Sequence, residues 1–199
     1  MPEKLEKKRR VLELGFALGL ALTVLLTALA AHRRRVADRV CADTVRLHIL
    51  ANSDTLEDQL LKLQVRDAIL QALPETVLQA DDTAEAEAAL RQALPTLHLA
   101  AQRALYKAHS PQTARLRLEQ LDFAARDYGS FTLPGGRYTA LRVELGDAKG
   151  HNWFCVLYPA LCVSGAQAAY PTREENALVF GRYEVRLAVV DAVKNWIGK

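Results

Sequence analysis

Three hydrophobic patterns succeed one another along the chain. From Leu14 to Ala31 runs an apolar stretch with no charged residue. As a helix, these eighteen residues span roughly 27 Å, close to one hydrocarbon core. A buried helix of a soluble domain normally keeps one polar side; this stretch has none, so it reads as a membrane segment. The second pattern is alternation. In Thr44–Leu50, Val45, Leu47 and Ile49 fall on one side and Arg46 and His48 on the other, predicting a strand with one buried side. Asn52-Ser53-Asp54 ends it, and Asp54 with Glu57 three residues on reads as a helix start. The third pattern is helical. Leu56, Leu60, Leu63 and Ile69 are expected inward on a helix over Thr55–Leu73, ending before Pro74.

A second helix start lies at Asp82-Thr83-Ala84-Glu85. The stretch Ala84–Ala108 follows, with Leu90, Leu94, Leu97, Ala101, Ala104 and Leu105 as its apolar side, and Pro95 must kink or divide it. Alternation resumes at Ala114, Leu116 and Leu118, and again over Tyr138–Leu145 after the turn Leu133-Pro-Gly-Gly136. Beyond a turn at Gly146–Gly150, Trp153–Tyr158 is almost wholly apolar, as a central strand buried on both faces would be. Arg182–Ile197 closes the chain as a helix with Val185, Val189, Val193 and Trp196 on one side. The order β-α-α-β-β-β-α predicts an α+β domain, with helices packed on one face of a mostly antiparallel sheet. It is preceded by a single N-terminal membrane helix or uncleaved signal. Residues 1–35 are thus the basic and membrane segment, 36–43 a connector from Val36 to Ala42 and beyond, and 44–199 one extracytoplasmic domain.

Charge divides the chain at the same point. Up to Arg35 there are eight Lys/Arg and three Glu, a balance of +5, while the remainder carries eighteen Lys/Arg and twenty Asp/Glu, a balance of −2. The basic excess belongs to the membrane segment, and nothing beyond it suggests a nucleic-acid partner. The cluster at Lys4, Lys7, Lys8, Arg9 and Arg10 should stay cytoplasmic, leaving the bulk of the chain outside, although Arg33-Arg34-Arg35 blurs the asymmetry. Ala28-Leu29-Ala30 fits a small-x-small cleavage pattern, whereas the arginines beyond it and the long apolar core favour a retained anchor. Gly15 and Gly19 have the spacing of a helix-packing pair.

Candidate chemistry changes the picture little. His32, His48, His98, His109 and His151 form no zinc-ligand spacing, and no metal site or glycine-rich phosphate loop is predicted. An extracytoplasmic hydrolase would need Cys155 with His151, or a carboxylate pair such as Asp81-Asp82. On a strand, positions four apart lie about 13 Å apart, and Cys155 sits in an apolar run where a thiol is inert. Asp81-Asp82 is accounted for by the helix start. Cys155 and Cys162, flanking Tyr158-Pro159-Ala160, can bridge or can pack as two thiols. Cys41 is then the odd cysteine, free to pair between molecules.

Two stretches are more particular. One is Arg46-Leu-His-Ile-Leu-Ala-Asn-Ser-Asp54 with Glu57-Asp58-Gln59, Leu61-Lys62 and Val65-Arg66-Asp67-Ala68. The other runs from Leu133-Pro-Gly-Gly136 through Tyr138-Thr-Ala-Leu-Arg142 to Gly150-His-Asn-Trp-Phe-Cys-Val-Leu-Tyr-Pro-Ala-Leu-Cys162. Together they resemble the stage II sporulation protein R family, with Trp153-Phe154 where two tryptophans are usual and Tyr158-Pro159-Ala160 where the family has Phe-Pro-Pro. The stretch Val163–Glu175 is shorter and less charged than some members carry. The resemblance implies a signalling protein rather than an enzyme, with no catalytic residue, no cofactor and no small-molecule substrate. It implies export from the forespore into the space between forespore and mother cell, where a membrane-embedded aspartic protease is the partner. That protease then processes a sigma-factor precursor. Asn52, Ser53 and Asp54 at the strand end, with Trp153, Phe154, Tyr158 and Pro159, are the candidate partner-binding residues, expected together at one end of the sheet.

Overall fold

The computed structural model describes residues 2–161 and 170–181. The closing helix expected over Arg182–Ile197 and the Cys162 half of the candidate disulfide lie outside the described residues.

Strand β1 (Val45–Leu50) lies inside a four-stranded sheet of order β2-β5-β1-β6, formed with β2 (Ala114–Phe123), β5 (Gly136–Leu145) and β6 (Asn152–Tyr158). β1 pairs parallel to β5 and antiparallel to β6, and β2 pairs antiparallel to β5, so the sheet is mostly antiparallel as expected. Trp153–Tyr158 is not a central strand: among the described residues β6 lies at the sheet edge, and β1 and β5 occupy the centre. An apolar run does not separate those two positions. β6 is apolar on both sides because each face of this edge is roofed, Cys155 and Leu157 by one core cluster and Val156 by another.

Helices α2 (Leu56–Gln71) and α4 (Thr83–Lys107) cover one face, with α3 (Glu75–Leu78) between them in sequence. Val45, Leu47 and Ile49 of β1 and Leu141, Val143 and Leu145 of β5 meet Leu90, Leu97, Ala101 and Leu105 of α4 there. That is the apolar side expected for this helix, and Pro95 lies inside α4 without dividing it. The buried side of α2 differs from expectation. Ile69 faces inward as expected and is joined there by Leu61 and Val65, while Leu56 and Leu60 are 75% and 51% exposed. Asp58 sets this phase: it is turned inward to accept hydrogen bonds from Asn52, Ser53 and Gln112. Residues three, four, seven and eleven positions beyond it therefore share its side. The N-cap of α2 is Thr55, whose hydroxyl accepts from the Asp58 N–H, and not Asp54.

The connector expected over Val36–Ala42 is helical. It forms the last turns of α1 (Pro2–Ala42), a single 41-residue helix about 60 Å long. Val36, Val40 and Cys41 are buried against the domain, whereas the positions from Glu6 to Arg35 are exposed. The end of α1, helix α5 (Arg173–Phe180) and the hairpin of β3 (Arg126–Asp127) with β4 (Thr132–Leu133) cover the second face of the sheet. Arg39 pairs with buried Glu175 at 3.1 Å, and the same glutamate completes a capping box with Thr172. Thr44 donates to the Val40 carbonyl and shares a 2.9 Å hydrogen bond with the Tyr170 hydroxyl. The apolar N-terminal stretch thus continues into the domain as one unbroken helix.

Candidate functional site

At the C-terminal end of β1, Asn52, Ser53 and Asp54 form a corner that is satisfied from within. The Asn52 side chain donates to Asp58 at 2.9 Å and accepts from the Asp147 N–H at 2.9 Å. The Asn52 and Ala51 carbonyls accept from the N–H groups of Lys149 and Gly150. Ser53 donates to Asp58, and its carbonyl accepts from Gln59. Gly146 takes a positive φ of +53°, and a Cβ on Gly150 would overlap the Ser53 carbonyl; glycine is required at both. Asp54 accepts from both the backbone and the ring of His151, and Lys62 donates to the His151 carbonyl at 2.9 Å. The hydrogen bond from the His151 ring holds the Asp54 carboxyl below the usual carboxylate range, and that from Ser53 does the same for Asp58. The corner clamps the Gly146–His151 turn to the start of α2.

β6 starts beside this corner and runs away from it. Leu50 pairs with Asn152 and Val45 with Tyr158, so Tyr158 and Pro159 lie roughly 20 Å along the strand from Asn152. The seven candidate residues do not gather at one end of the sheet. Trp153 faces the helix-covered side, with the Arg66 guanidinium 4.6 Å from its ring centre. Phe154, its neighbour, faces the other side. Cys155 is buried in the core, and His151 is exposed on Asp54; the two do not form a thiol–imidazole pair. Asp82 caps α4 through the Glu85 N–H, which accounts for one carboxylate of the Asp81-Asp82 pair. Cys41 is buried against Gly136 and Tyr138, and burial pushes its thiol up, so it is not presented for pairing between molecules. No group of three metal-ligating side chains occurs among the described residues.

On the second face, residues expected to be a solvated strand side form a polar interior. Arg46 is fully buried. Its guanidinium lies 4.1 Å from the ring centre of Phe123 and 4.8 Å from that of Tyr138, and its Nη2 donates to the Tyr128 hydroxyl at 2.8 Å. Nε and Nη1 have no hydrogen-bond partner among the described residues. His48 stacks on Phe154 at 4.8 Å and meets Phe123 edge-on. Burial holds its imidazole below the ordinary range, so it is neutral at pH 7. Further along the face, Glu144 takes ion pairs from Arg115, Arg117 and Arg142 at 3.3, 2.8 and 2.8 Å. Burial pushes the Glu144 carboxyl up, and the arginines outweigh it, leaving it below the usual value. Alternation in β1 and the later aromatics were visible in the sequence. Nothing in their spacing shows that Phe123, Phe154 and Tyr138 close over Arg46, because those contacts join β1 to three other strands.

Comparison with known proteins adds the family. The sequence model described as Stage II sporulation protein R (spore_II_R) matches residues 41–168, more than half of the 199-residue chain. Stage II sporulation protein R of Bacillus subtilis (strain 168) is 36% identical over 118 residues, covering 59% of this chain and 53% of that relative. The match therefore spans about half the length of the relative. No solved structure matches significantly.

Proposed function

Because the chain belongs to the stage II sporulation protein R family, we propose that it is an exported signalling protein of endospore formation. In this reading it leaves the forespore and activates a membrane-embedded aspartic protease of the mother cell, which then processes a sigma-factor precursor. The family match carries the reading: it begins at Cys41, where α1 enters the domain, and continues through β6. The apolar stretch of α1 supports export, since it is the one helix among the described residues long and apolar enough to cross a membrane. Its continuity with the domain favours an anchored form, in which the domain sits on a rigid stalk at the membrane. Cleavage after Ala30 would leave Val36, Val40 and Cys41 in place, so a released form keeps the packing of the second face.

The reading is tested in a spore-forming host lacking its own stage II sporulation protein R. Expression of this chain should restore cleavage of the sigma-factor precursor, followed by immunoblot. A folded, exported chain that leaves the precursor uncut overturns it. In the same assay Asn52→Ala and Asp54→Ala address the corner. Normal cleavage by the folded variants would remove that corner from the partner-binding surface.

A further inference from the structure

The outer edge of β2 is open for most of the strand's 10 residues. The ladder with β5 fixes which backbone groups lie on that edge. Ala114 stands opposite Leu145, and the Gly146 N–H donates to the Thr113 carbonyl at 3.0 Å. The odd-numbered residues of β2 therefore bond β5, and the even-numbered ones turn their N–H and C=O groups outwards. α4 satisfies the first of these. Gln102 accepts from the Ala114 N–H at 3.2 Å, and the His98 ring donates to the Ala114 carbonyl at 3.1 Å. The outward backbone groups of Leu116, Leu118, Gln120 and Asp122 have no partner among the described residues. Exposed edges are commonly blunted by brevity, proline or a bulge. β2 has none of these, and its register with β5 runs unshifted from Ala114 to Phe123.

Beside the free stretch, α4 is apolar towards solvent. Leu99, Gln102 and Tyr106 follow one another at helical spacing, and Gln102 reaches the edge. Leu99 and Tyr106, 48% and 82% exposed, therefore stand on the side of α4 that overlooks it. The charges on β2 are self-complementary. Arg117 and Glu119 flank Leu118 on the second face, and within one copy they pair with Glu144 and Arg142.

We propose that two copies of this chain join through their β2 edges, antiparallel about a two-fold axis at Leu118. In that register Leu118 meets Leu118 of the second copy and Leu116 meets its Gln120, so the outward backbone groups satisfy one another. Arg117 then faces Glu119 of the second copy on both sides of the axis, which extends the row of alternating charge. Sliding one strand by two residues in either direction sets Arg117 against Arg117 or Glu119 against Glu119, so charge selects the register. The contact keeps the second faces of both copies, with both α1 helices, on one side of the joined sheet. It is independent of the proposed signalling role, and its test reads mass rather than precursor cleavage.

The experiment is sedimentation equilibrium of the full chain in density-matched detergent micelles over a concentration series, in which the mass should rise from one copy to two. Arg117→Glu and Glu119→Arg should each weaken the dimer about tenfold, since both facing pairs become like charges. Combining the two substitutions should restore it, because each pair is then reversed in sign. Gln120→Pro, at an exposed edge position, removes an outward N–H that β5 does not use. It should weaken the dimer while circular dichroism stays that of the unsubstituted chain. A mass of one copy at every concentration overturns the proposal. So does a dimer indifferent to Gln120→Pro and to the single charge reversals, which would place the contact elsewhere, as along α1. Failure of the combined substitution to restore a dimer that each single one weakened overturns it as well.

Discussion

The two faces of the sheet are built on different physics. On the face under α2 and α4, every buried position of β1 and β5 from Val45 to Leu145 is aliphatic, apart from Thr139 near the start of β5. Burial of apolar surface accounts for it. On the face under α1, α5 and the β3–β4 hairpin, the same strands present Arg46, His48, Arg142, Glu144 and a cluster of aromatic rings. That face has its own apolar cluster of Val40, Phe131, Leu133, Val156 and Val179, and beside it adds charge pairing and ring stacking. The contrast teaches that one face is closed by aliphatic packing, while the other combines an apolar cluster with polar groups whose partners are only partly supplied among the described residues. It is on the second face that α1 enters.

The contrast can be broken most sharply by Leu141→Ala. Leu141 is fully buried at the centre of the helix-covered face, and the loss of its side chain should cost about 3 kcal/mol in chemical denaturation. A cost near zero would mean that the aliphatic face is not the main source of stability. Asp58 comes next, at the end of the sheet where the corner, α2 and Gln112 meet. Asp58→Ala leaves the donors of Asn52, Ser53 and Gln112 unpaired, at an expected cost of about 2 kcal/mol. Its carboxyl is held low in the folded state, so its contribution is present above the ordinary carboxylate range. It is lost as pH falls through the lowered value, and the variant should lose that part of the acid transition.

Glu144→Gln probes the second face. The three arginines that meet it are largely or partly exposed, so the expected cost is about 1 kcal/mol and should shrink in high salt. A larger, salt-independent cost would place this face on the same footing as the helix-covered one. The smallest effect belongs to His48. Its folded-state value is lowered, so the unfolded chain takes up the proton first. Stability is then fully present above about pH 6.5 and declines as pH falls below it. His48→Phe should remove that decline, read as a flatter stability curve between neutral pH and the carboxylate range.

Much of the fold is legible in particular residues. The strands at Val45, Ala114, Tyr138 and Trp153 and the helices starting near Thr55 and Thr83 follow from alternation and helical spacing, because one face of each is buried under a regular layer. Where the reading departs, a contact from elsewhere in the chain overrides the local pattern. Asp58 rotates α2 so that Leu56 and Leu60 face outward. Buried Val36, Val40 and Cys41 keep α1 helical through a stretch that has no strong helical signature of its own. Of the candidate partner-binding residues, Asn52, Ser53 and Asp54 are placed together at the corner, and the register of β6 carries Tyr158 and Pro159 to its far end.

By itself the sequence determined an uncharged apolar N-terminal segment, the α+β class and the family resemblance. Each of these is written in local pattern: an uncharged run of hydrocarbon length, two periodicities of burial, and two runs of particular residues. Only the tertiary structure decided the order of the strands, the phase of α2, the unbroken entry of α1 and the burial of Arg46 among aromatic rings. Those outcomes depend on which elements meet in space. A charged residue at an outward-facing strand position reads as solvated until another part of the chain folds over it.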